Sequence, residues 1–100
     1  MSDRETPLPP PTFDFLVLSL RMQAEMSMGL HQHEESDEQT DLRVARHSID
    51  LLAVLQDKTR NNLSLEEQRL LDNSLTELRF RYIQAFEARQ KKAAEAQVNE

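Results

Sequence analysis

One hundred residues bound this chain to a single small domain. Only 38% of them are hydrophobic and 30% are charged, so part of the chain is too polar to join a core. A formal charge of −6 repels polyanions and argues against nucleic acid and anionic membrane as partners, and with no cysteine there is no disulfide, thiolate metal site or thiol nucleophile.

The charge is uneven: residues 1–50 carry the whole net −6, and residues 51–100 balance. One glycine and one tyrosine are too few for the turns and strands of an all-β fold, whereas the Leu, Ala, Glu, Arg and Gln content favours helices. The expected class is all-α: a first helix, then an antiparallel hairpin of the second and third, behind a disordered leader. The boundaries expected are a Pro-rich leader over 1–12, a helical domain over 13–88 and a fraying charged tail over 89–100. A cysteine-free chain fits the cytoplasm.

The leader, MSDRETPLPPPT, has acids and prolines where a signal peptide needs a basic start and an apolar run. Pro7-x-x-Pro10 has the spacing of a proline-rich ligand, although a stiff polar spacer is the simpler reading. Thr12 is placed to cap the first helix, with Asp14 near its positive end.

The first helix, predicted over Phe13 to Leu30 and fraying from Gly29, carries two apolar stripes. Phe13, Leu16, Val17, Leu20, Ala24 and Met28 fall on one side. Phe15, Leu18, Met22 and Met26 fall roughly opposite, with Gly29 beside them. Covering one side leaves the other wet, so a second layer is expected. Arg21, Gln23 and Glu25 interrupt the segment, which excludes a membrane span.

The acidic run HQHEESDEQTD follows, unfavourable at the end of one helix and favourable before the next, whose start is expected near Glu38 to Asp41. The second helix, to about Arg60, is the central one, with Leu42, Val44, Ala45, Ile49, Leu51, Leu52, Ala53 and Leu55 spread over a wide arc. Asn61 and Asn62 tolerate a left-handed cap, Ser64 and Glu67 spell a capping box, and Leu63 can staple it. Leu71, Leu75, Leu78, Tyr82 and Ala85 give the third helix a seam spaced by fours and threes, with Phe80 on its far side. The hairpin is expected to bring the acidic run near Arg79, Arg81, Arg89 and Lys91.

Phe13-x-Phe15, Ile49-Asp50-Leu51-Leu52, Leu55-Gln56-x-Lys58-Thr59, Asn62-Leu63-x-x-Glu66-Glu67 and Leu78-Arg79-x-Arg81-Tyr82 together resemble the bacterial domain-of-unknown-function family 1844. The resemblance covers about Phe13 to Phe86 and is most specific over the second helix, the turn and the third. Asn61 stands where that family is expected to have glycine. It implies a small bacterial helical protein and brings no catalytic residues.

His31-x-His33 with Glu34 is the one cluster of metal-ligand types. On a helix, residues two apart point about 200° apart, and two solvated histidines are the simpler reading. No Glu-x-x-His or His-Glu-x-x-His pattern occurs. His47 and Ser48 are adjacent but lack an acid to orient the imidazole. The function expected is therefore non-enzymatic and cofactor-free: a module that self-associates, as a homodimer, through Phe15, Leu18, Met22, Met26 and Gly29. An adaptor binding a partner protein through the Met-rich face is the second reading, and metal binding at His31, His33 and Glu34 a remote third.

Overall fold

In the computed structural model, which describes residues 7–29 and 41–98, the chain forms α1 (Phe13–Ser27), α2 (Leu42–Lys58) and α3 (Leu65–Val98). No strand occurs among the described residues. Pro7 to Thr12 is exposed and outside any helix, as suits a run whose prolines supply no backbone donor.

Each helix begins where a side chain replaces a missing backbone acceptor. Thr12 Oγ1 accepts from the Phe15 amide at 3.0 Å. The Asp41 carboxylate accepts from the amides of Arg43 at 3.0 Å and Val44 at 3.3 Å. The Arg43 side chain and these amides hold the Asp41 carboxyl below its ordinary pKa. At α3 the capping box is reciprocal: the Glu67 amide donates to Ser64 Oγ at 3.1 Å, and the Ser64 amide to Glu67 Oε1 at 2.9 Å. Asn61, at φ 67°, takes the left-handed conformation that reverses the chain between α2 and α3.

The helices run up, down, up. The Asp41 amide donates to the Ser27 carbonyl at 2.8 Å, so α2 starts beside the end of α1 and returns along it. Arg21 on α1 reaches Ser74 and Glu77 on α3, and Arg81 approaches Glu25, so α1 and α3 run parallel. The core lies between all three: Val17, Ala24 and Met28 from α1 and its cap, Leu42, Ala45, Ile49 and Leu52 from α2, and Leu71, Leu75 and Leu78 from α3. Ser48 and Ser74 are small polar intruders in it. Ser74 accepts from the Arg21 guanidinium at 3.3 Å, whereas the buried Ser48 hydroxyl has no partner.

Three expectations change. Leu16 is exposed, because the buried arc of α1 is centred near Val17 and Ala24 and Leu16 lies about 100° from that centre. The arc of α2 is narrower than expected: Leu51 is exposed and Val44 half-buried, since both neighbours lie toward Ile49 and Leu52. Gly29 is not on a helical stripe; at φ 83° it stands past the end of α1 and donates to the Met26 carbonyl, terminating the helix. Beyond the core, α3 runs on through Val98, with Phe86 to Ala96 exposed throughout. The acidic run lies outside the described residues apart from Asp41.

Removing the hydroxyl in Ser64→Ala is expected to lower stability by about 1 kcal/mol, the usual loss for a deleted N-cap. Urea denaturation followed by circular dichroism measures it; an unchanged midpoint contradicts a role for the box in fixing the α2–α3 turn.

Candidate functional site

The side of α1 turned away from α2 and α3 is the candidate. Phe15 is 44% exposed, Leu18 46%, Met22 54% and Met26 49%, each far too much for a core position. At about 100° per residue they cover an arc of roughly 80° along the helix. Continuing around it come Ser19, Gln23 and Leu16, all exposed. From Leu18 round to Leu16 the surface holds no charged side chain, in a chain where 30% of residues are charged.

One edge of this face is built from charge. Arg21 Nε donates to Glu25 Oε2 at 3.0 Å and its other nitrogens reach Ser74 and Glu77. Arg81 lies 3.7 Å from Glu77 and 4.0 Å from Glu25. Burial opposes the Arg21 charge, but the hydrogen bonds and charges of Glu25 and Glu77 outweigh it and raise its pKa above the ordinary value. This network fixes the rotation of α1 against α3, turning Val17 and Ala24 inward and Met22 outward. Sequence reading missed that bridging role; the Arg21-x-x-x-Glu25 spacing was its only local signal.

Other exposed apolar side chains on α2 and α3 sit beside polar or charged ones. Leu51 and Val54 on α2 share their side with His47 and Lys58, and Phe80 and Ile83 on α3 share theirs with Glu87. Tyr82 and Phe86 stack on each other with ring centres 6.3 Å apart. Both methionines of α1 lie outside, whereas its cap residue Met28 belongs to the core.

The sequence-derived chemical candidates do not converge. His31, His33 and Glu34 lie outside the described residues, and among the described residues no group of three or more His, Asp or Glu is placed to hold a metal. His47 is exposed while Ser48 is buried, so the two point to different sides of α2. A cleft of about 340 Å³ at the α2–α3 turn is lined by Gln56, Thr59, Arg60, Gln68 and Asp72. Its polar groups are largely engaged already: Gln56 donates to Asp72 at 2.7 Å and Thr59 to the Leu55 carbonyl at 2.6 Å. Among the described residues no helix is long and apolar enough to cross a membrane.

A short all-α protein with an uncharged apolar helix face is the class that these observations define. The chain belongs to the domain-of-unknown-function family DUF1844, whose family model matches residues 10–84. That match ends next to Ala85, the last residue of α3 that packs against the core. No curated protein and no solved structure matches the chain.

Because the outer α1 side chains are only half buried within one chain, Leu18→Gln or Met22→Gln, compared at a dilution where the chain is monomeric, is expected to lower stability by no more than about 1 kcal/mol. Leu52→Ala, within the core, is expected to lower it by about 2–5 kcal/mol. Urea titrations compare the three, and a large loss for either α1 variant contradicts the assignment.

Proposed function

We propose that this protein is a non-enzymatic, cytoplasmic interaction module that forms a homodimer through the outer face of α1. The observation that carries the reading is the exposure of Phe15, Leu18, Met22 and Met26 together, with no charge among them. Burying a large apolar side chain fully contributes about 1.5–3 kcal/mol relative to full exposure, and these four are half-way there. Covering them completes a burial that the chain's own helices begin.

A second copy is the occupant that the charge distribution favours. Two molecules of charge −6 repel wherever their acidic surfaces meet. The α1 face is where they approach without opposing like charges, and a twofold axis sets that face against itself. The flexible thioethers of Met22 and Met26 adapt to such a self-complementary contact.

Equilibrium sedimentation at micromolar concentration tests the proposal. The unmodified chain is expected to sediment as a dimer and Leu18→Glu/Met22→Glu as a folded monomer, because it sets two carboxylates against two more. A monomeric unmodified chain with a cooperative melt overturns the dimer, and an unaffected double variant places the contact elsewhere.

A further inference from the structure

We infer that Arg21 and Glu25 act as a charged wedge between α1 and α3, which keeps Leu18 and Met22 from closing onto α3 of the same chain and so holds the α1 face open. The inference rests on the dimer contact proposed above and adds the positioning residues that keep it available.

The two edges of the buried arc of α1 differ in kind. Leu16 and Leu18 lie equally far from the buried Val17, one on each side, and are 45% and 46% exposed. Within the helix, Ala24, Phe13, Leu20 and Ser27 fall between Val17 and Leu16, with no charge among them. Between Val17 and Leu18 fall only Arg21, Asp14 and Glu25. Asp14, in the first turn, is exposed. Arg21 and Glu25 instead fill the gap toward α3, with side chains only 22% and 13% exposed. There Arg21 reaches the buried Ser74 and the Glu77 carboxylate, and Arg81 approaches Glu25.

This edge resists closing for an electrostatic reason. A turn of α1 by about 60° brings Leu18 to where Arg21 now stands and carries the guanidinium into the core. Taking that charge out of water and away from its carboxylates costs more than the burial of one or two apolar side chains returns. Where it stands, the guanidinium keeps its bond to Glu25 and supplies the Ser74 hydroxyl with a donor. With alanine at both positions the edge becomes small and uncharged, like the side that carries Ala24. Phe15, Leu18 and Met22 then gain burial against α3, and only Phe13 and Leu20 give it up at the opposite edge.

Thiol labelling tests the wedge, with Met22→Cys as the sole cysteine of the chain. The reaction with a maleimide is followed at nanomolar concentration, below the range of self-association, in variants that keep the helical circular dichroism of the parent. Adding Arg21→Ala/Glu25→Ala is expected to slow labelling by about fivefold or more, as the side chain at position 22 closes onto α3. Glu25→Ala alone leaves Arg21 on Ser74 and Glu77 and is expected to slow it less; it decides the matter if the larger variant does not fold. A network that merely braces α1 predicts the opposite, since its loss loosens the helix. Labelling that is unchanged or faster overturns the inference. In the Met22 background, Arg21→Ala/Glu25→Ala is expected to weaken the dimer seen by sedimentation by about tenfold. A dimer of undiminished affinity overturns the link between wedge and contact. An unmodified chain that sediments as a monomer overturns the dimer, and the labelling rates still decide the wedge.

Discussion

In a bundle of three helices each helix has two neighbours, and both lie to the same side of it. The arc it can bury within one chain is therefore limited, whatever its sequence. For α1 that arc is occupied by Val17, Ala24 and the cap residue Met28, packed against leucines of α2 and α3, and the Arg21 bridge to Ser74 and Glu77 locks the rotation. Phe15, Leu18, Met22 and Met26 are left outside by geometry, not by loose packing. No rotation of α1 buries both stripes, because turning the second inward exposes the first.

The same limit applies to α2 and α3, yet their surfaces answer it differently. Their outward apolar residues stand among charged and polar neighbours, as single exposed hydrophobics commonly do in soluble proteins. On α1 the charges are gathered at one edge, where Arg21 and Glu25 are paired, and the remaining face is neutral. In the proposed homodimer, an acidic body beside a neutral strip would obtain specificity from repulsion as well as attraction.

Much of this was legible from residue spacing. The cap at Thr12, the Ser64–Glu67 box, the left-handed Asn61 and the Leu71–Leu75–Leu78 seam depend on neighbours within one turn, and their local chemistry is sufficient to place them. The exposure of the second α1 stripe was also readable, since it follows from period alone. What spacing did not reveal was set by packing across the chain. Leu16 belongs by hydrophobicity to the inner stripe, but the rotation of α1 is fixed by Arg21 meeting residues more than fifty positions away. Leu51 is apolar enough for the core and lies outside only because both neighbours sit on the other side of α2. Gly29 read as a contact residue while the helix was extended on paper; in three dimensions it is the residue that ends it.

The methionines offer the most direct test. Met22 and Met26 lie on the outer face of α1 and its cap residue Met28 in the core, so their methyl groups report on the two environments within one molecule. In a dilution series followed by methyl NMR, the signals of Met22 and Met26 are expected to shift with protein concentration while that of Met28 stays fixed. Signals of Met22 and Met26 that hold their positions across the series, with the tumbling time of a single chain, contradict the account.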